Sequence, residues 1–318
     1  MKSNNVVTLL AIMVFFATLS TLTISKHQVV AIGGDPTTNY ITTSNKVTNQ
    51  VISQDISETQ YRLKYKQSRL DEETQKQAQI DTLEKSIRAF VGKNINKFGM
   101  VYYDINSKKS IVINGDKQFA AASTIKTPIN MLVYDMIKDK KININVKLKY
   151  DKADFEDGAG ILQGTDLSKP ISIKTLSDYS IIYSDNIAIN MLLRKVGKEN
   201  RYNYIEKIVG HPIVHKGNNI TPKDSFKILE RLYSNPDNNQ YYGSMIETMK
   251  NTEYHDRIDK YIPKEIVAHK IGDYAECVDD TAIVFKGNPY ILVVFTDEIS
   301  GANEVIGQVS KIIYDAQK

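Results

Sequence analysis

Three short runs bring together residue types that could do nucleophilic chemistry. The first is Ser123-Thr-Ile-Lys126, the only Ser-x-x-Lys in the chain. Residues three apart share a helix face, so the amine can approach the hydroxyl. Burial of Lys126 would disfavour its charged form and lower its pKa, turning an ammonium into a usable base. A helix amino terminus at Ser123 would also help to stabilise an oxyanion forming there. A plainer assignment is open too: Ser is a common helix cap, and a Lys in a first turn usually points to solvent.

The second run is Ser184-Asp-Asn186. A hydroxyl at Ser184 could pass a proton between Lys126 and a leaving group, and the Asn186 amide could hold a substrate carbonyl. Ordinary capping and turn chemistry uses the same residues. The third run is His269-Lys270-Ile-Gly272. It reads as a strand with Lys270 on one face and a Gly that lets a ligand approach the backbone. The alternative is a solvated Lys that blocks pairing at a sheet edge.

Each run needs an element to place it. Ile125, Ile129, Leu132, Val133, Met136 and Ile137 form one apolar stripe at helical spacing, so Ser123 is expected at the amino end of a buried helix. Ser172 can cap a helix through Leu176, Tyr179 and Ile182, and Ile187 to Val196 continues as another, closed by Gly197. Ser184-Asp-Asn186 then sits at a helix–helix junction. A further helix is expected over Tyr202 to Val209. Met100 to Ile105 and Ser110 to Asn114 read as a hairpin, as do Thr281 to Phe285 and Tyr290 to Thr296. Ile80, Leu83, Ile87 and Val91 give a first helix, and Asn303 to Ala316 a closing one. Strands at both ends around a helical middle make an α+β chain, not the alternation of a doubly wound fold.

At 318 residues, the chain has room for about two domains or one large one. Hydrophobic content of 42% and charged content of 25% exclude wholesale disorder. A net charge of +4, from 41 Lys+Arg and 37 Asp+Glu, is too small and dispersed to argue for nucleic acid. The single cysteine, Cys277, rules out an internal disulfide and a Cys-built zinc site. Five scattered His include no HExxH pair, so no metal or other cofactor is expected. Val6 to Ile24 is a 19-residue run without a charge, long enough at roughly 28 Å to span a hydrocarbon core. It reads as a signal anchor or a signal peptide within residues 1–25, placing the rest outside the cytoplasm. Residues 26–77 read as a polar tether; the charged part from Tyr61 could be a helix, but one with little to bury. Residues 78–318 form the globular domain.

In this order the three runs match the Ser-x-x-Lys, Ser-Asp-Asn and Lys-(Thr/Ser)-Gly signature of class A β-lactamases and penicillin-binding proteins. From about residue 78 to 318 the chain resembles the class A β-lactamase-like serine hydrolases. Gly158-Ala-Gly-Ile-Leu-Gln163, Asn219-Ile-Thr-Pro-Lys-Asp224 and Asp279-Asp280 support the match. The resemblance implies an antiparallel sheet formed by the chain-terminal strands plus an all-helical subdomain. It also implies roles: Ser123 the acylated nucleophile, Lys126 its base and Ser184 the proton relay. Lys270 would supply positive charge, Asn186 would bind the substrate amide, and Gly272 and Asp273 would line the substrate site, with backbone N–H groups of Ser123 and Asp273 forming the oxyanion hole. The implied substrate is a β-lactam or a peptidoglycan peptide.

Two departures stand out. The family's Glu-x-x-Leu-Asn segment, whose Glu serves deacylation, has no match between Ser184 and Pro222. Glu206 and Glu156 are the fallback carboxylates. Ile271 replaces the Thr or Ser of the third run, removing a hydroxyl expected to bind a substrate carboxylate. Slow deacylation is therefore expected, and a non-catalytic envelope binding module that keeps the fold is the alternative. A purely structural envelope role rests on the tether alone.

Overall fold

A computed structural model describes residues 40–215 and 217–317; the apolar run Val6 to Ile24 lies outside them. Among the described residues no helix is long and apolar enough to cross a membrane. The chain divides into two compact units, Met1–Ser68 and Arg69–Lys318.

Helix α1 (Tyr40–Val91) includes most of the stretch expected as a tether. The helical outcome has a simple cause. From Tyr40 to Val91 the sequence contains neither Pro nor Gly, is rich in Lys, Glu, Gln and Arg, and carries i,i+4 pairs such as Arg62–Glu58 at 2.7 Å. Side chains described between Asp55 and Thr74 are exposed, as expected of a segment with little to bury. From Ile80 the helix turns amphipathic, and Ile80, Leu83, Ile87 and Val91 are buried as their spacing predicts. Lys76 reaches back to Asp104 at 2.9 Å.

The globular unit is built on five antiparallel strands: β1 (Phe98–Asp104), β2 (Ser110–Ile113), β3 (Val267–Tyr274), β4 (Cys277–Val284) and β5 (Tyr290–Asp297). Their spatial order is β2-β1-β5-β4-β3. Both expected hairpins form, and a third joins β3 to β4 through Ala275 and Glu276. Because both faces are covered, β5 reads as the continuous apolar run YILVVF. Alternation assigns the faces. Ile291, Val293 and Phe295 pack toward the helical region, while Tyr290, Leu292 and Val294 pack with α1 and α8 (Ala302–Ala316).

Between β2 and β3 come six helices: α2 (Lys126–Lys138), α3 (Ile173–Ile182), α4 (Asn186–Val196), α5 (Asn200–Val209), α6 (Pro222–Ser234) and α7 (Tyr242–Lys250). Their starts are written locally. Ser172 caps α3 by accepting from Thr175 N at 3.0 Å, and Thr221 caps α6 with Pro222 at its first position. The apolar stripe of α2 buries Ile129, Leu132, Val133 and Ile137 in the core shared with the sheet.

Candidate active site

Ser123 lies on a single 3-10 turn, Ala122–Ile125, that runs directly into α2. The plainer assignment for Ser123 is a cap of that helix. The structure gives neither this turn nor α2 a side-chain cap, and Ser123 Oγ forms no hydrogen bond with the described residues. The hydroxyl is left to the cleft it faces. Ala122, just before it, has a φ of 43°, a left-handed conformation that a non-glycine residue adopts only when its surroundings impose it.

The edge of β3 imposes it. A Cβ built on Gly272 would stand 2.9 Å from Ala121 O and 3.1 Å from the Ala122 Cβ. Gly272 therefore lets the turn that carries Ser123 lie against the strand, whereas its expected role was to admit a ligand. Lys270, two residues earlier, is completely buried, so the solvated-edge alternative fails.

Lys126 is also buried, and its Nζ points to the Ser184-Asp-Asn186 run. It donates to the Ser184 carbonyl, to Ser184 Oγ at 3.1 Å and to Asn186 Oδ1 at 2.7 Å. Lys270 Nζ donates to the same Ser184 Oγ at 3.0 Å and to Ile271 O. One hydroxyl thus bridges the two amines. Ser184 holds that place with a φ of 53°, a second left-handed non-glycine residue. Burial brings the Lys126 pKa down to about 8, with Glu156 and Asp185 partly opposing the drop. Burial, followed by repulsion from Lys126, pushes Lys270 well below its ordinary value. Two amines sharing so dry a site cannot both stay charged at low cost.

Asp185, in the middle of the second run, is structural. One carboxylate oxygen accepts from Ile161 N at 2.7 Å and Leu162 N at 2.8 Å; the other caps α4 at Ala188 N, 2.8 Å. The loop approaches so closely that a Cβ on Gly160 would fall 2.3 Å from Asp185 Oδ2. This packing brings Gly158 and Ala159 to the cleft wall. Asn186, expected to bind substrate, already uses both ends of its amide: the oxygen on Lys126, the nitrogen on Asp157 O at 3.1 Å.

These groups open onto a cleft of about 560 Å³ that Ser123, Lys126, Asn186, Asp273 and Tyr274 line. Two arginines that no motif marked shape it. Arg201 stands on the wall beside Asn218. Arg257, almost fully buried, donates to Gly272 O at 2.9 Å, to Asp279 O at 2.8 Å and to both oxygens of Asp273 at 2.7 Å. The Asp273 side chain is thereby tied to Arg257 while its residue remains at the cleft. Of the two fallback carboxylates, only Glu156 lines the cleft, held by Asn190 Nδ2 at 2.8 Å. Glu206 accepts from Ile213 N and His215 and is not among the lining residues.

Residues 82–317 match the "Beta-lactamase enzyme family". The chain is 25% identical over 247 residues to β-lactamase BRO-1 of Moraxella catarrhalis, covering 69% of this chain and 79% of that one. It is 24% identical over 272 residues to β-lactamase VEB-1 of Pseudomonas aeruginosa, covering 75% and 91%. Among solved structures, TLA-3 extended-spectrum β-lactamase superposes with a TM-score of 0.69 at 21% identity, over 74% of this chain and 98% of that one. PBP-A superposes at 0.68 and 21% identity, over 74% and 95%.

Proposed function

The chain belongs to the β-lactamase enzyme family, and from that premise we propose a serine hydrolase that β-lactams acylate at Ser123. The observation that carries the reading is the Lys126–Ser184–Lys270 cluster, with one hydroxyl held between two buried amines, of which Lys126 lines the cleft. In its neutral form, Lys126 takes the proton of Ser123 as the hydroxyl attacks the lactam carbonyl. The C–N bond then breaks, and Ser184 delivers a proton to the departing nitrogen, drawing on the amines at either side. This is general-base activation of a weak nucleophile followed by general-acid help to its leaving group. Retention of Ser123, Lys126, Ser184, Asn186 and Lys270 together is an argument against a binding module that has lost its chemistry.

The acyl-enzyme is proposed to be long-lived. Of the cleft carboxylates outside the Arg257 pair, Glu156 is exposed and fastened to Asn190, and Asp157 accepts from Gly158 N. General-base help to the attacking water is typically worth about 10²–10⁴-fold, so losing a thousandfold adds about 4 kcal/mol to the deacylation barrier. The amino-terminal run Val6 to Ile24 leads us to place the enzyme outside the cytoplasm and attached to the membrane.

Intact-mass spectrometry after exposure to a penicillin tests the chemistry directly. One adduct per chain is expected, absent in Ser123→Ala and formed about 10²–10⁴-fold more slowly in Lys126→Ala. An adduct on Ser123→Ala would refute the nucleophile. Several turnovers per second in the parent protein would refute slow deacylation.

A further inference from the structure

Behind the cleft, on the other face of β3, lies a cluster that the acylation chemistry does not use. His269 and Lys270 are consecutive on the strand and therefore point to opposite sides of the sheet. His255, Asp259 and His269 each offer one ligand atom, and the three atoms lie within 4.8 Å of one another. The side chains of Asp259 and His269 are completely buried. His269 Nδ1 stands 3.0 Å from each oxygen of Asp280. That contact fixes the ring and turns Nε2 toward Asp259 Oδ2 at 3.4 Å. Yet His269 Nε2 and Asp259 Oδ1 have no hydrogen-bond partner among the described residues. Orphaned buried polar atoms are uncommon and call for an occupant.

We propose that His255, Asp259 and His269 bind one divalent transition-metal cation, with Zn²⁺ the best match to their chemistry. Two imidazoles and a carboxylate form a usual zinc donor set with one position left for water. Bonds of about 2.0–2.1 Å in a tetrahedron put neighbouring ligand atoms roughly 3.3–3.4 Å apart, the separation found between His269 Nε2 and Asp259 Oδ2. A carboxylate on the far ring nitrogen, the place Asp280 takes, is the usual outer support of a metal-binding His. Charge also balances: two carboxylates meet one dication while both imidazoles remain neutral. His255, hydrogen-bonded to Asp259 and partly open to solvent, is the entry side and must swing off that contact to ligate. The other occupant of this cluster is a proton, making His269 an imidazolium between two aspartates. The chemistry would be structural. Arg257 lies between His255 and Asp259, so a bound cation would clasp to β3 the segment that holds Gly272 and Asp273.

The test uses the full-length protein, stripped with chelator and then titrated with ZnCl₂ by calorimetry and with CoCl₂ by visible absorption. One equivalent is expected to bind, raising the thermal midpoint and giving the intense cobalt bands of a four-coordinate site. His255→Ala, a change at the surface, should weaken Zn²⁺ binding at least tenfold while leaving the metal-free midpoint within a degree or two. Asp259→Asn should abolish the cobalt bands. His215→Ala, which alters a surface histidine elsewhere, should change nothing. No binding by the parent protein overturns the proposal and leaves the proton as occupant. Binding that survives His255→Ala or disappears with His215→Ala overturns it as adventitious.

Discussion

Raising the pH from 7 to 9 should speed acylation of Ser123 about tenfold. The step needs Lys126 as a neutral amine, and burial has brought its pKa from 10.5 down to about 8. At pH 7 about 9% of the protein then carries the base in its active form, at pH 8 about half and at pH 9 about 91%. An unperturbed Lys would be neutral in only about 0.03% of molecules at pH 7, so burial gains roughly 300-fold in competent enzyme at that pH. The sign follows from the direction of the shift. Because the pKa is depressed and the neutral form acts, activity rises with pH and levels off above about 9. Lys270 lies well below its ordinary value for the same reason, and Lys126 is the amine that sits at the edge of the nucleophile turn. The Glu156 carboxylate resists the fall in Lys126 more than Asp185 does, so Glu156→Gln should move the whole profile to lower pH. The assay is stopped-flow labelling with a fluorescent penicillin at fixed ionic strength, with the rate constant read at saturation. A flat profile, or one that falls from pH 7 to 9, would refute Lys126 as the base.

Three further outcomes follow from the packing. Gly272→Ala should destabilise the fold by about 1–3 kcal/mol, because its Cβ must displace Ala121 O, and acylation should slow as the nucleophile turn shifts; chemical denaturation and labelling rates check the two together. Asp185→Ala should cost about 2–4 kcal/mol, since three backbone N–H groups lose their acceptor, and loosening of the Gly158–Leu162 loop should appear in hydrogen exchange before global unfolding does. Cell fractionation should find the full-length chain in membranes with Val6 to Ile24 retained; a product starting near residues 26–35 in the medium would show cleavage instead.

The sheet and most of the helices were legible because their signals are local and periodic. The run YILVVF, the stripe from Ile125 to Ile137 and the cap Ser172 each state their own element, whereas α6 and α7 went unread. The stretch before Ile80 was legible only in part: a helix with little to bury was open from Tyr61, but it starts at Tyr40, because from there on no Pro or Gly interrupts helix-forming residues and i,i+4 pairs. The site was legible as three runs and not as geometry. Spacing suggested that Lys126 would meet Ser123, whereas its amine turns to a backbone carbonyl, a hydroxyl and an amide on another helix junction. Arg257 could not have been chosen at all, since it acts through fold contacts with distant residues and belongs to no motif.

The two conformational costs at the site share one cause. Ala122 and Ser184 both adopt left-handed backbone, at about 1–3 kcal/mol each, and each sits beside a group that must reach the cleft. A relaxed turn at Ala122 could not lie against β3, where Gly272 leaves room for it. A relaxed Ser184 would take its hydroxyl away from the position shared by Lys126 and Lys270. The strain is offset outside the chemistry, by Asp185 binding three N–H groups and by Arg257 spanning β3 and β4. The reactive atoms are therefore held by residues that never touch a substrate, and it is these anchors, more than the three short runs, that separate a working site from the same letters in an unstructured chain.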